Sequence, residues 1–225
     1  MFDFYCQRQD DPSTNEYFDT TINSNKYASV LYDKGYEANT RRNNSAQTAY
    51  DTMGQDEIFI VVSHANAGGI QFYNAEGGSN GAILANEKVN DPDIWFGSNC
   101  LYIDKMEADQ LTRMRCVLYI GCNTGTTYTY TSGGAYRPTF NLVDSTFNQG
   151  AHYVLGFVAK VEIDSANEWL GHFIDSINIG NSIDNSIIYA DSMTTTIRVE
   201  YADGTKRNVT NMPIHAAGDG NQYLN

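Results

Sequence analysis

The sequence predicts an α/β protein: a three-layer α/β/α sandwich with a mainly parallel sheet and small β-hairpin additions. Two observations carry this. Apolar runs of strand length recur at Ile58–Val62, Cys116–Ile120 and Ala151–Val158, and continuous apolar runs of that length suit strands buried on both faces. Segments with apolar residues at helical spacing lie between and after them. Strands alternating with helices build a parallel sheet whose crossovers cover both faces. The 225 residues contain no internal repeat and no dividing linker, so one domain over residues 1–225 is expected.

In order along the chain, Phe2 to Tyr5 suits a short first strand, and residues 10–15, with Pro12, suit a loop. Tyr27, Val30 and Leu31 share one face of a helix expected from about Ser24 to Lys34 and ended by Gly35. After an extended piece, Tyr36 to Asn39, Asn44 or Ser45 can cap a second helix that runs to Met53 and stops at Gly54. A strand then ends at His64. Gly68 to Leu84 reads as a hairpin, residues 91–93 as a loop, and Asp104 to Thr112 as a helix. Arg115 opens the strand that leads to Cys122. Asn123 to Tyr136 reads as a polar, aromatic loop, and Arg137 to Asn148 as a helix with Phe140, Val143 and Phe147 on one face and Gly150 as its stop. Past the third apolar run, Ser165 and Glu168 form a capping box before the stripe Ala166, Trp169, Leu170, Phe173, Ile174 and Ile177. Asn181 or Ser182 opens a further short helix. Asp203-Gly204 marks a hairpin between residues 195–201 and 206–209, and the last dozen residues are polar and glycine-rich.

Charge narrows the function. The chain carries 27 Asp and Glu against 14 Lys and Arg, a formal net charge of −13. Such a surface repels phosphate backbones, so no nucleic-acid partner is expected. No apolar stretch nears the roughly 18 residues of a spanning helix, so no membrane partner is expected either. The N-terminus lacks the basic and apolar regions of a signal peptide, which leaves a cytoplasmic protein or a trimmed secreted one. Cys6, Cys100, Cys116 and Cys122 have no metal-ligand spacing, and neither Asp10-Asp11 nor Asp91-Pro92-Asp93 matches a calcium loop. No metal or other cofactor is expected. Cys116 and Cys122 fall at the two ends of one strand, too far apart to bridge; a Cys6–Cys100 bridge stays open, with free thiols the expectation.

The candidate chemistry sits where two apolar runs stop. One ends at Ser63-His64 before Ala65-Asn66-Ala67-Gly68-Gly69; another ends at Gly121-Cys122 before Asn123-Thr124-Gly125. If the runs are neighbouring parallel strands, a thiol and an imidazole meet at their carboxyl ends, where open α/β sheets bind ligands. The thiolate is a strong nucleophile and the imidazole can accept or donate its proton. Glycines on both loops give the backbone freedom to aim amides at a developing oxyanion. Taken singly, each residue has a plainer role: strand-end cysteines commonly pack, and strand-end histidines commonly satisfy loop carbonyls.

At these residues the chain resembles the caspase-like (clan CD) cysteine peptidases. Within them it is most similar to the CHAT and clostripain-like branches, where one strand ends in a His-Gly type motif and a later one in Cys-x-Thr-Gly. The segment Phe147-Asn148-Gln149-Gly150-Ala151-His152-Tyr153-Val154-Leu155-Gly156 resembles the family's F-x-x-x-G-A-x-x-V-(I/L)-G strand. The stretch from Val161 through Phe173 to Gly180-Asn181-Ser182 resembles its following helix and turn. The resemblance covers about residues 55–190. It implies a caspase-like fold and peptide-bond hydrolysis through a thioester acyl-enzyme on a peptide or protein substrate. Cys122 would be the nucleophile, His64 the general acid/base, and the backbone amides of Ala65 and Cys122 the oxyanion site.

Two positions depart from the pattern. Ala65 stands where the family has Gly after its histidine, and Ile120 where the clostripain-like branch has an Asp that reads a basic side chain. Ile120, Asp164 and Tyr128 are the candidate substrate contacts, with Glu162 or Asp144 as alternative carboxylates. Trp95-Phe96 and Tyr128 to Tyr130 suit a groove lining or a cover for the sheet edge. His152 and His172 read as core or surface residues, and His215 has no acidic or thiol neighbour at ligand spacing. The two departures motivate a second reading, a catalytically silent caspase-fold binding or scaffold module. A third, a flavodoxin-like ligand binder, lacks a glycine-rich phosphate loop after the first strand.

Overall fold

The three apolar runs form the middle of one six-stranded sheet in the computed structural model. Residues 2–6, 8–11, 16–19, 24–74, 78–89, 99–132, 135–201 and 204–224 are described, with the backbone alone for 2–19 and 128–138. The strands are β1 (Phe2–Cys6), β2 (Ala38–Arg42), β3 (Ile58–Val62), β4 (Cys116–Ile120), β5 (Tyr153–Phe157) and β6 (Ile214–Gly218). They lie in the order β6-β5-β4-β3-β1-β2, with every neighbouring pair parallel except β5 and β6.

Helices cover both faces because β3, β4 and β5 are buried along their whole length. The helices are α1 (Ser24–Asp33), α2 (Ala46–Met53), α3 (Leu142–Asn148), α4 (Ile163–Asn178) and α5 (Ile183–Met193). On one face, Ile58, Ile60, Val62, Leu118, Ile120 and Leu155 pack with Tyr27 and Leu31 of α1, Trp169 and Phe173 of α4 and Ile183 of α5. On the other, Phe59, Val61, Val117, Tyr119 and Val154 pack with Ala49 and Met53 of α2 and Leu142 and Val143 of α3. Successive strand residues therefore feed opposite cores, as the two-residue period of a strand requires. The expected α/β/α sandwich is the observed one.

The expected hairpin after His64 belongs to a small sheet: Ala65–Asn66, Gly69–Tyr73, Ser79–Leu84 and Cys100–Tyr102 pair in that order. A three-stranded antiparallel sheet, Lys160–Val161, Ile197–Glu200 and Lys206–Val209, lies beyond β5. Several expectations need correction. The loop read over residues 10–15 is flanked by a hairpin, Arg8–Asp11 with Glu16–Asp19; residues 12–15, 91–93 and Trp95-Phe96 lie outside the described residues. No α-helix spans Asp104 to Thr112. A single 3-10 turn, Ile103–Lys105, runs into extended Met106, and Asp109 adopts a left-handed φ of 64°. That path seats Leu111 and Met114 individually in the core beside α3.

The stretch read as a loop from Asn123 to Tyr136 becomes a hairpin, Tyr128–Ser132 against Ala135–Phe140. The helix expected from Arg137 begins only at Leu142, where the Asn141 side chain caps it by accepting from the Asp144 amide at 2.7 Å. Ser165 and Glu168 form no capping box, because α4 starts earlier, at Ile163. The Ser165 hydroxyl instead donates to the Thr196 carbonyl and accepts from the Arg198 amide, while Glu168 accepts from the Thr195 amide. Both side chains thus stitch α4 to the three-stranded sheet. Ser182 caps α5 as expected. The polar, glycine-rich C-terminal stretch supplies β6, the antiparallel edge of the main sheet.

Candidate active site

The parallel register of β3 and β4 sets the site. Ile58 pairs with Cys116 and Val62 with Ile120, and the Ser63 amide continues the ladder onto the Ile120 carbonyl at 3.2 Å. His64 and Cys122 are each two residues past the last paired position, so both emerge at the carboxyl edge of adjacent strands. Gly121 is where the two loops touch. A Cβ built there would lie 2.7 Å from both the Ala65 Cβ and the Ser63 carbonyl oxygen, so only glycine lets the backbone before Cys122 approach the His64 loop this closely.

Each loop is anchored from behind. The Ser63 hydroxyl donates to the Gln71 carbonyl at 2.5 Å, and the Gln71 amide donates to the His64 carbonyl at 2.9 Å. The exposed His64 ring meets the Tyr73 ring edge-on at 5.7 Å. After Cys122, Asn123 turns through a left-handed φ of 60° and its amide donates to the Ala159 carbonyl at 3.1 Å. The fully buried Thr124 hydroxyl donates to the Tyr119 and Gly121 carbonyls and accepts from the Phe157 amide at 3.0 Å. The Gly125 amide donates to the Phe157 carbonyl at 2.8 Å. A Cβ on Gly125 would lie 2.7 Å from the Gly156 carbonyl oxygen. The Cys-Asn-Thr-Gly turn is therefore fastened to the end of β5, which fixes the thiol on rigid elements.

Half-buried Cys122 has its Sγ 3.9 Å from the Val161 carbonyl oxygen, to which it donates. Burial holds this thiol above its ordinary pKa, and hydrogen bonding with the Val161 backbone and the Lys160 ammonium pull it back in part. It rests as a neutral thiol near neutral pH, so a base must remove its proton before it can act as a nucleophile. A cleft of about 380 Å³ lies along the three-stranded sheet, lined by Lys160, Glu162, Arg198, Glu200, Lys206 and Arg207 together with Val161, the residue whose carbonyl meets the thiol; Cys122 and His64 are not part of its lining. Glu200 pairs with Lys160 at 3.2 Å and with Lys206 at 3.6 Å, and Arg198 pairs with Glu162 at 3.5 Å.

The other sequence candidates are scattered. Ile120 is not a pocket wall: it is 1% exposed and packs in the core shared with α1 and α4, because its strand position points it at that face. Asp164 is exposed in the first turn of α4, and it is its neighbour Glu162 that lines the charged cleft. Tyr128 opens the strand Tyr128–Ser132. Asp144 is occupied elsewhere, its Oδ1 2.7 Å from the His215 Nε2. That contact corrects the reading of His215 as lacking an acidic neighbour: the two residues are distant in sequence, and β6 brings them together opposite Gly156. The Lys160–Glu200–Lys206 cluster also went unread, since it needs both the pairing of Lys160 with Glu200 and that of Glu200 with Lys206 across the hairpin. Cys100, Cys116 and Cys122 are free thiols.

Comparison with solved structures agrees with this architecture. The crystal structure of caspase-1 from Spodoptera frugiperda superposes with a TM-score of 0.54 at 10% identity, covering 97% of this chain and 87% of that one. The structure of pro-sf-caspase-1 gives a TM-score of 0.48 at 11% identity, with 97% and 86% covered. The likeness is one of fold: a mixed α/β chain with a central sheet and helices on both faces, as in caspases. No protein-family model matches the sequence, and no curated protein matches it.

Proposed function

We propose that this chain is a cysteine peptidase of caspase-like fold, acting on peptide or protein substrates through Cys122 and His64, and that residues 1–225 work as one unit. The observation that carries the reading is the β3–β4 register, which brings the two loops together across Gly121. His64 takes the Cys122 proton, the thiolate attacks the scissile carbonyl, and the imidazolium returns the proton to the leaving amine. A thioester forms; water, deprotonated by His64, then hydrolyses it. The Cys122 and Ala65 amides are the proposed donors to the oxyanion. The motifs around His64 and Cys122 support assignment to the CHAT and clostripain-like branch.

The experiment is labelling and cleavage with electrophilic peptide probes and a peptide library. Cys122→Ala should abolish labelling, and His64→Ala should slow it at least about a hundredfold at neutral pH. Labelling and cleavage that survive Cys122→Ala would refute the dyad. A second reading, a catalytically silent binding module, is favoured by one observation: the Cys122 thiol is half-buried and engaged with the Val161 carbonyl. A stoichiometric peptide complex without turnover or His64-dependent labelling would support it.

A further inference from the structure

We propose that Lys160 is the electrostatic partner of the Cys122 sulfur and that Glu200 restrains it, so that this ion pair sets how readily the thiol ionises. The geometry lies in the strand pairing. Lys160 precedes Val161, whose carbonyl accepts from Cys122 Sγ at 3.9 Å, and Lys160 is opposite Glu200 in the antiparallel register. Its ammonium donates to Glu200 Oε1 at 3.2 Å, while Lys206 holds Oε2 from the next strand at 3.6 Å. Glu200 is thus clamped between two cations in the wall of the cleft that Val161 also lines.

In a chain of net charge −13, Lys160 places a positive charge next in sequence to the carbonyl that the thiol meets. Both members act on the sulfur: the Lys160 charge favours the thiolate and the Glu200 charge opposes it. Glu162 and Arg198, which pair with each other, line the same cleft, and His64 leaves the adjoining strand β3 at the same edge of the sheet. Lys160 is therefore a positioning residue that acts through the field at Cys122. An acidic group arriving in the cleft to pair with Lys206 would loosen Glu200, so the same cluster can couple cleft occupancy to thiol reactivity.

The role in catalysis rests on the reading of Cys122 as nucleophile; the effect on ionisation does not, and the two are separated by alkylation without substrate. Iodoacetamide forms an S–C bond as the C–I bond breaks, iodide leaves and the thiol proton passes to solvent, so the rate reports the thiolate fraction. Peptide mapping by mass spectrometry distinguishes Cys122 from Cys100, Cys116 and Cys6. Over pH 6 to 10, Glu200→Gln should raise the Cys122 rate at neutral pH about two- to threefold and move the profile to lower pH, a size suited to solvent-screened charges. Lys160→Met should move it the opposite way, Lys160→Arg should restore it, and Glu200→Gln should have less effect in the Lys160→Met background. Profiles unchanged by Lys160→Met and Glu200→Gln, or faster alkylation in Lys160→Met, would overturn the proposal. If the profiles shift but Cys122→Ala leaves peptide cleavage intact, the pair stands and the nucleophile reading falls. With the profiles fixed and cleavage lost in Cys122→Ala, the reverse holds.

Discussion

Two small residues bear most of the load around Cys122. Gly121→Ala would set a Cβ 2.7 Å from atoms that cannot swing away, the Ala65 Cβ and the Ser63 carbonyl, so the His64 loop must move. The expected cost is about 1–3 kcal/mol of stability, with loss of His64-dependent probe labelling; denaturant melts and labelling rates check both. Thr124→Val keeps the shape but removes a hydroxyl that links Tyr119, Gly121 and Phe157, taking the acceptor from the buried Phe157 amide while the two carbonyls keep backbone donors. It should cost about 1–3 kcal/mol, and Thr124→Ser should recover most of that if the hydroxyl rather than the methyl is responsible. The places of His64 and Cys122 at the ends of adjacent strands were legible in the sequence because each follows an apolar run, and the end of a buried strand is a defined location. Thr124 was legible only as part of a motif. His215 and Asp144, 2.7 Å apart, were not legible, since no local pattern signals a contact made by an edge strand arriving from the C-terminus.

At the scale of elements, periodicity was readable wherever an element buries a continuous stripe or is buried throughout. That describes α1, α4, β3, β4 and β5. Two of the misreadings share a cause. Ala135–Phe140 and β6 are stabilised by pairing with a partner strand and their own side-chain pattern is weak, whereas Tyr128–Ser132 does alternate Tyr and Thr, a strand signal overridden in the reading by the polar, glycine-rich residues around it. Asn141 marks the true start of α3, but the apolar spacing of Phe140, Val143 and Phe147 drew the boundary too early. Ser165 looked like a helix cap and is a cross-element tie. Ser165→Ala should therefore loosen the strand Ile197–Glu200 rather than fray α4: the Arg198 amide loses its acceptor and the Thr196 carbonyl its donor. A loss of about 1 kcal/mol is expected, with faster hydrogen exchange at Arg198 and little change at the α4 amides; exchange mass spectrometry decides between them. Because Lys160 and Glu200 sit in that sheet, the same variant should also blur their pairing.

Across the whole molecule, two apolar cores meet at a sheet whose middle strands hold ionisable groups out of water, and this makes stability fall at high pH. Cys116, 1% exposed at the start of β4, has its thiol pushed by burial to about 12 from an ordinary 9.0. Between those values the unfolded chain has released the proton and the folded chain has kept it. Rising pH therefore favours unfolding, and the contribution is lost progressively from pH 9 upward. For one group the slope reaches about 1.4 kcal/mol per pH unit. Tyr73, raised by burial to about 12, adds the same trend at higher pH, and burial raises Tyr119 and Tyr153 in the same direction. Cys116→Val keeps an apolar side chain of similar size in the same core and removes the ionisation. Its denaturant-derived stability, measured from pH 8 to 11, should decline less steeply than that of the unaltered chain, with the difference opening above pH 9. The residual decline should steepen above pH 10 as the buried tyrosines take over. Equal slopes for the two proteins would show that the alkaline limit is set by groups other than the thiol at the base of β4.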